Sequence, residues 1–544
     1  MKKEERKIAA LAGLLALVML WTLAPASIAA NVVGGTCRKV GEIVKSGDQN
    51  LICDKFNGKS RYYVSGGTLK YGYTGGGLVT LNPNQISSGT QKPVAPLLYD
   101  SLVRIDAKGA IVPWLASSWT STADQKSWTL VLREGVKFHS GREFTNQDVR
   151  RNLQWISNPA NKSSQAGEIG KISGFSFKGR YEVTITLKNA NSQFPGALVF
   201  IYMADALSLS NPKVVNGTGP FKLQEFASDD HVYVTNNRGY WAGSSKLDGI
   251  KIMRSPDATS ALLSLQSGAL DMVWNIPPTS IAQVRADKNL GFLTAPAFTG
   301  AHVLMLDTKS APFKNVKARQ ALSYALDRET IFRTAFGSVG EISMTSTPIG
   351  KKDSAYKSGM TEYDFNLDKA KALFAEAGVK SGDTLTFWTL AGRRVEWIAM
   401  AQVLQSDLKK IGITLDIKPQ ETASWLGKFF PYSASSPKLY PDTIVANFLS
   451  PVPTSAYQLN AYTTGGNEAK WDNAEYDALM KSALSASSPA EYRAITGKMQ
   501  ELYNREVPCV IPLLAANITA YKTSVKGMFL LGEGTPQLQD AYFD

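Results

Sequence analysis

Side chains able to do acid–base or metal chemistry are scarce in this sequence. The chain of 544 residues holds three histidines, His139, His231 and His302, and each lies in a different part of the sequence. Zinc sites on helices use two histidines about one turn apart, as in His-Glu-x-x-His, and no such pair occurs. His139, between Gly135 and Gly141, is expected to be a hydrogen-bonded turn residue rather than a ligand. The sequence therefore predicts neither a metal site nor a cofactor.

Motifs for nucleophilic catalysis and phosphate binding are also missing. The nearest approach to a Gly-x-Ser-x-Gly elbow is Gly337-Ser338-Val339-Gly340, which lacks the first spacing. Ser-x-x-Lys pairs occur without the motifs that accompany them in penicillin-recognising enzymes. There is no Gly-x-x-x-x-Gly-Lys-[Ser/Thr] loop, so the chain itself is not expected to hydrolyse ATP. The sequence predicts a binding protein rather than an enzyme.

The charge of the chain argues against a nucleic-acid partner. The formal net charge of +13 comes from 59 Lys and Arg residues against 46 Asp and Glu residues. The basic residues are scattered singly, which is typical of a diffuse basic surface. A nucleic-acid groove would concentrate them on one face.

Hydrophobic periodicity predicts interleaved strands and helices. Alternating apolar residues at 128–132, 183–187 and 413–417 indicate half-buried strands. Apolar residues at helical spacing over 316–332 and 398–411 indicate one amphipathic helix in each range. This interleaving predicts an α/β fold.

Helix boundary signals are clearest near residue 260. Asp257 is placed to cap a helix that stops at Gly268, and Asp271-Met272-Val273 then begins a strand. At this length, with 44% hydrophobic residues, the chain is expected to form two or three packed domains.

The first 30 residues have the pattern of an export signal. Basic residues precede an apolar stretch, Ile8–Ala24, and small residues follow it at 26–30. Because the apolar stretch approaches the length that spans a bilayer, an uncleaved anchor remains the alternative. We expect the rest of the chain to lie outside the cytoplasm.

The three cysteines fit an oxidising compartment. Cys37 and Cys53 are close in sequence and are expected to form a disulfide, whereas Cys509, in an apolar context, is expected to be a buried thiol. A bridge across a loop of this size contributes about 3 kcal/mol in the chain-entropy model. Residues 31–64 are therefore predicted to be a small bridged module.

Collinear motifs in the body of the chain resemble a known family. The most specific is LREGVKFHSGREFTNQDV, Leu132–Val149. Others are LYDSLV from Leu98, GTGPFKL from Gly217, RGYW from Arg238 and RQALSYALDR from Arg319. From about residue 78 to residue 514 the sequence resembles the extracytoplasmic solute-binding proteins of ABC importers, family 5. That family includes oligopeptide-, dipeptide- and nickel-binding receptors.

The resemblance implies a two-lobed, hinged α/β fold of the periplasmic-binding-protein type. We expect lobe I to span 65–302, with an extra subdomain at about 94–205, and lobe II to span 303–506. The segment 507–544 is expected to return to lobe I. A solute that contacts both lobes favours the closed form, and the loaded receptor docks on an ABC permease with its ATPase subunits. We expect the receptor to be a monomer.

The resemblance also suggests where specificity lies. Peptide-binding relatives hold the peptide ammonium with an aspartate in a Trp-x-x-Asp-x-x-Asp-Pro-like segment, and the matching region here starts at Asp442. Phe448 stands in place of the tryptophan, the acidic residues of the motif are absent, and Asp442 is left as a candidate ammonium ligand. The pair Arg393-Arg394 resembles one that can hold a carboxylate, and its alternative is a solvated helix start.

Aromatic residues complete the predicted site. Trp425, Phe448 and Tyr457 are candidate walls for the solute, and the alternative for each is a place in the core. The predicted solute is peptide-like or another small polar molecule, anionic or neutral. Two other functions stay open: a secreted hydrolase on a similar scaffold, and a surface adhesion or sensory protein.

Overall fold

The computed structural model describes most of the chain after residue 34. The described residues are 35–544 except 40–41, 47–48, 57–58, 65, 75–77, 79, 86–92, 107–109, 164, 168, 170–171, 210, 212–213, 295–299, 354, 392–393, 422–423, 425–442, 450–458, 460–462, 465–470, 515–517 and 532–533. The predicted export signal at 1–30 lies outside them. No helix within the described ranges has both the length and the apolar character needed to cross a membrane.

Strands run through the whole of the described chain. Up to residue 294 they are β1 Ile43–Ser46, β2 Gln49–Phe56, β3 Lys59–Val64, β4 Thr68–Thr74, β5 Val103–Ile105, β6 Ile111–Pro113, β7 Ala116–Ser121, β8 Ser127–Leu132, β9 Ile172–Lys178, β10 Glu182–Leu187, β11 Phe221–Ala227, β12 His231–Asn236, β13 Gly249–Ser255, β14 Met272–Trp274 and β15 Leu290–Thr294. After residue 300 they are β16 Ala301–Leu306, β17 Glu341–Ile342, β18 Thr384–Leu390, β19 Thr414–Gln420, β20 Thr443–Leu449, β21 Cys509–Leu514, β22 Ile518–Lys522, β23 Val525–Lys526, β24 Phe529–Leu530, β25 Pro536–Gln537 and β26 Tyr542–Phe543.

Helices alternate with these strands, as the sequence predicts. The α-helices are α1 Ala95–Leu98, α2 Asn146–Ser157, α3 Phe194–Ala197, α4 Ala258–Gln266, α5 Ile281–Ala286, α6 Val316–Tyr324, α7 Arg328–Thr334, α8 Leu367–Glu376, α9 Val395–Lys410, α10 Ala474–Leu484 and α11 Pro489–Glu506. Short 3-10 turns lie at Pro83–Gln85, Pro159–Asn161, Leu198–Phe200 and Pro278–Ser280.

The N-terminal module is a small antiparallel sheet in the order β1-β2-β3. The predicted disulfide between Cys37 and Cys53 is confirmed, with a Cα–Cα distance of 5.6 Å. Both cysteines are buried with Leu51 and Tyr62 in a cluster separate from the other cores. A core this small needs a covalent staple, which explains why the bridge lies here.

Two larger sheets form the two lobes. Among the described residues the first sheet has the order β11-β12-β13-β4-β14-β22-β15, and the second has the order β17-β21-β16-β20-β18-β19. Each sheet has its own apolar core, and α4 and α5 cover one face of the first sheet. The predicted α/β, two-lobed fold is therefore confirmed.

The chain passes between the lobes twice, each time beside a pair of neighbouring strands. In the first sheet β15 and β22 end their pairing at Thr294 and Ile518. In the second sheet β16 and β21 begin theirs at Ala301 and Leu514. The chain thus leaves the first sheet at β15 and returns to it at β22, and the strands on both sides of each crossing are neighbours, which is the arrangement expected at a hinge. The sequence-based division at 507 precedes β21, which pairs within the second sheet, so the strand that returns to the first sheet is β22.

A third apolar core lies between residues 102 and 203. The antiparallel sheet β7-β8-β10-β9 carries the predicted alternation, with Trp128 and Leu130 buried opposite Ile185 and Val183. Helix α2 packs Val149 into the same cluster. We propose that this unit is the extra subdomain of the first lobe.

Local capping explains where the helices begin and end. Asp257 caps α4 by accepting a hydrogen bond from the Ser260 backbone N–H, and Gly268 follows the helix with a φ of +85°. The prediction of one helix over 316–332 is wrong. Asp327 accepts from the Thr330 backbone N–H at 2.9 Å and starts a second helix, α7, so the apolar residues belong to two helices.

Candidate functional site

The carboxyl ends of parallel strands meet the hinge in the second lobe. Leu449, the last residue of β20, pairs with Ala301, the first residue of β16. Strand β18 runs parallel to β20, so its last residue, Leu390, lies at the same edge of the sheet. Arg394, at the start of α9, follows this edge directly. Open α/β sheets bind ligands at the carboxyl ends of their strands, so this edge is a candidate wall of the site.

The first lobe presents its own strand ends to the hinge. Trp274 ends β14 and pairs with Thr519, next to the hinge residue Ile518. The Trp274 indole donates a hydrogen bond to the Gly534 carbonyl at 3.1 Å. This bond holds Gly534 of the C-terminal segment against the edge. The two lobes therefore face each other across the hinge with their strand ends.

Arg394, at this edge, already forms an ion pair within the protein. Its guanidinium lies 3.2 Å from the carboxylate of Glu396, whose side chain is 2% exposed. Its Cζ also lies 5.5 Å from the ring centre of Trp397. The alternative of a solvated pair does not describe Arg394, because its side chain is only 17% exposed. A solute carboxylate at this position would share the guanidinium with Glu396.

His302 is a structural histidine at the same edge. Its Nδ1 accepts a hydrogen bond from the Trp397 indole at 2.8 Å, and its ring centre lies 4.5 Å from that of Phe336. Burial, followed by the charge of Arg394, holds the pKa of His302 well below its usual range. The imidazole is therefore neutral at physiological pH. It orients Trp397 rather than serving as a base.

His139 is the hydrogen-bonded turn residue that the sequence predicts. Its Nε2 lies 3.1 Å from the Gly219 carbonyl, and its backbone N–H donates to the Gly217 carbonyl. Burial lowers the pKa of His139 to about 4. Within the described residues no group of three or more His, Cys, Asp or Glu side chains could hold a metal ion.

A buried carboxylate organises the aromatic residues of the first lobe. Asp100 is 4% exposed. Its Oδ1 accepts hydrogen bonds from the Trp114 indole and the Tyr240 hydroxyl, both at 2.7 Å. Its Oδ2 accepts from the Thr218 hydroxyl at 2.8 Å and the Trp241 indole at 2.9 Å. Burial raises the pKa of Asp100, while these hydrogen bonds oppose the rise. Asp100 lies in the motif LYDSLV, but the four residues that donate hydrogen bonds to it lie elsewhere in the sequence.

Two arginines flank the pair of tryptophans that Asp100 positions. The rings of Trp114 and Trp241 lie 4.7 Å apart. The Cζ of Arg104 lies 3.3 Å from the ring centre of Trp114, and that of Arg133 lies 5.3 Å from the ring centre of Trp241. Arg133 also donates to the Trp114 carbonyl at 2.6 Å.

A cavity opens beside this aromatic cluster. It has a volume of about 40 Å³. Its polar and aromatic lining residues include Tyr99, Arg104, Trp114, Tyr202, Tyr240 and Gln537. Because one water needs roughly 10–15 Å³ of such space, the cavity holds an end group of a solute but not a whole peptide. The C-terminal segment that Trp274 holds at the hinge edge forms one wall.

The unit that we propose as the extra subdomain of the first lobe contacts the second lobe away from the hinge. Ser192, in this unit, donates from its backbone N–H to the Leu484 carbonyl at 2.8 Å. Its hydroxyl donates to the Ala483 carbonyl at 3.0 Å. These carbonyls lie at the end of α10 in the second lobe, and that of Ala483 also accepts from the Ala486 backbone N–H at 3.1 Å. We call these two hydrogen bonds the interlobe contact.

The structure places the predicted site residues unevenly. Arg394 and the backbone of Phe448 lie at the hinge-facing edge, where Phe448 pairs with His302. The other candidates lie outside the described residues: Arg393, Trp425, Asp442 and Tyr457. Sequence reasoning missed Asp100 and Arg104, although both lie in or beside a motif that it singled out.

Comparison with known proteins identifies the family. The model of "Bacterial extracellular solute-binding proteins, family 5 Middle" matches residues 110–470. Heme-binding protein A of Haemophilus influenzae is 27% identical over an alignment of 473 positions that covers 79% of this chain and 84% of that protein. Glutathione-binding protein GsiB of Salmonella typhimurium is 26% identical over an alignment of 494 positions that covers 86% of this chain and 93% of that protein.

A solved structure agrees with the fold. The oligopeptide-binding protein AppA from Bacillus subtilis, in complex with a nonapeptide, superposes with a TM-score of 0.74. It shares 23% sequence identity and covers 88% of this chain and 99% of its own. These similar proteins are binding proteins, which confirms the prediction that the chain is not an enzyme. The chain belongs to the bacterial extracellular solute-binding proteins of family 5.

Proposed function

We propose that this chain is an exported receptor that captures a peptide-like or other small polar solute carrying a carboxylate and passes it to an ABC permease. The proposal is carried by one observation: the strand ends of the two lobes face each other across the hinge. The first-lobe edge ends at the pair Thr294 and Ile518, and the second-lobe edge begins at the pair Ala301 and Leu514. A solute held between these edges contacts both lobes. Such a solute stabilises the closed form by the difference between its affinities for the closed and open forms.

The solute class is supported by the chemistry of the relatives' ligands and of the site. Heme, glutathione and peptides all carry carboxylates, and these are the ligands named for three similar proteins. The first lobe offers aromatic faces, and Arg104 offers a guanidinium beside them. Planar groups and carboxylates are the partners that such residues recognise.

The second lobe supplies the other half of the proposed site. Arg394 and Phe448 remain proposed solute contacts because both lie at the hinge-facing edge. Arg393 and Asp442 remain predictions from the family resemblance, and Trp425 and Tyr457 remain predictions from the sequence. Since Glu396 already pairs with Arg394, we expect Arg394 to position a solute group rather than to provide the dominant charge.

The proposed cycle involves no covalent chemistry. The receptor closes on the solute, and the closed form docks on the permease, whose ATPase subunits supply the energy. We propose that the receptor acts as a monomer outside the cytoplasm, exported by residues 1–30 or held by them at the membrane.

Native mass spectrometry tests the proposal. The chain is incubated with an equimolar mixture of glutathione, trialanine and hemin, and the bound species is identified before and after release. Retention of one probe with unchanged mass is the expected result. If no probe is retained, the peptide-like or carboxylate-bearing class is wrong, and if the released probe is altered, the receptor function is wrong.

A further inference from the structure

We propose that Arg104, stacked on Trp114, binds the carboxylate of the solute in the cavity beside Asp100. This inference rests on the proposed function and specifies its site. The cavity has about 40 Å³, enough for a carboxylate group, and Arg104 forms part of its wall.

Arg104 has N–H donors that are available to a solute. A guanidinium carries five N–H donors. Across the described part of the chain, no side chain or carbonyl forms a hydrogen bond or an ion pair with that of Arg104. Its close contact is the Trp114 ring, whose centre lies 3.3 Å from the Arg104 Cζ, and a cation–π contact of this kind engages none of the N–H donors in a hydrogen bond to an oxygen acceptor.

Arg104 is also held in place before a solute arrives. Trp114 is fixed by its hydrogen bond to Asp100 and by the Arg133 hydrogen bond to its carbonyl. Stacking on a fixed ring restricts the arginine side chain, so binding costs less conformational entropy. A planar guanidinium held in this way is suited to bidentate binding of a carboxylate.

The charges near Arg104 leave room for a solute carboxylate. Asp100, Asp540 and Asp106 contribute negative potential at Arg104, yet none lies within ion-pair distance. The Asp100 carboxylate instead accepts hydrogen bonds from four neutral donors. Arg133 adds a second positive charge beside Trp241. A solute carboxylate would therefore make the direct contact that no acidic side chain among the described residues provides.

Calorimetry with trialanine and its C-terminal amide tests the assignment. We expect the wild-type chain to bind the carboxylate probe about 10- to 100-fold more tightly than the amide, as for a charge-assisted bidentate pair. Arg104→Gln should abolish this preference, and Arg104→Lys should keep part of it because lysine retains the charge without the fork. Arg150→Gln is the matched control, because Arg150 stacks on Phe177 in the extra subdomain.

The outcomes separate this inference from the proposed function. Binding of trialanine with an equal carboxylate preference in Arg104→Gln overturns the role of Arg104 and leaves the receptor function intact. If Arg104→Gln does not fold, a full preference in folded Arg104→Lys overturns the bidentate assignment. If the wild-type chain binds neither probe and also fails to bind glutathione, the peptide-like function and this inference both fall.

Discussion

Removing the Ser192 hydroxyl should shift the receptor toward its open form. Ser192 donates its hydroxyl to the Ala483 carbonyl at the end of α10, and because the two residues belong to different lobes in the proposed division, we expect this hydrogen bond to form only when the lobes are together. Ser192→Ala deletes it while leaving the backbone bond to Leu484 in place. One neutral hydrogen bond contributes about 1 kcal/mol, so the ratio of closed to open molecules should fall about fivefold.

Single-molecule FRET measures this ratio directly. Dyes on Lys188→Cys and Lys481→Cys report the separation of the lobes near the interlobe contact, since both positions are exposed. Cys37 and Cys53 are bonded to each other and Cys509 is 1% exposed, so the native cysteines should not take up dye. The ratio is recorded without solute and at saturating glutathione or trialanine.

The matched control is Ser482→Ala. The Ser482 hydroxyl also donates to a helix carbonyl, that of Ala478 at 2.9 Å, but within one lobe. We expect this variant to behave as wild type. An unchanged FRET ratio in Ser192→Ala, or an equal shift in Ser482→Ala, would refute the reasoning that the interlobe contact stabilises closure.

Three further predictions concern stability. The pKa of His139 falls from its ordinary value of 6.5 to about 4 in the folded chain. Between pH 6.5 and 4 the unfolded chain therefore binds a proton at this residue that the folded chain does not. The free energy of unfolding decreases as the pH falls through this window. His139→Gln should remove up to about 3 kcal/mol of that loss in urea titrations, whereas His231→Gln should not, because the pKa of His231 is raised. Asp100→Asn should lower the free energy of unfolding by about 2–4 kcal/mol, since its amide nitrogen faces hydrogen-bond donors, and an unchanged denaturation midpoint would contradict this. Replacing both Cys37 and Cys53 by serine should lower the free energy of unfolding of the N-terminal module by about 3 kcal/mol. Hydrogen exchange should then become faster at residues 35–64 and stay unchanged in the rest of the chain. Equal exchange in wild type and variant would contradict this prediction.

The fold was predictable because its signals are local or shared with the family. The helix from Asp257 to Gly268 carries its cap and its stop in the sequence itself, and both lie where expected. The helix predicted over 316–332 failed because Asp327 can start a helix as well as continue one. Only the hydrogen bond that it makes to Thr330 decides between the two.

The site was less predictable because its partners are distant in sequence. Arg394 is visible as a cation in the sequence, but its ion pair with Glu396 and its burial depend on how α9 packs at the sheet edge. Asp100 lies in a recognised motif, yet its donors come from residues 114, 218, 240 and 241. Nothing in a single sequence indicates that these side chains converge.

Small-angle X-ray scattering during titration tests the central claim, that two lobes close on a solute. We expect the radius of gyration to fall as glutathione or trialanine is added and to level off at the stoichiometry measured by calorimetry. A scattering profile that stays the same while calorimetry shows saturation would contradict the account, because the solute would then bind without bringing the lobes together.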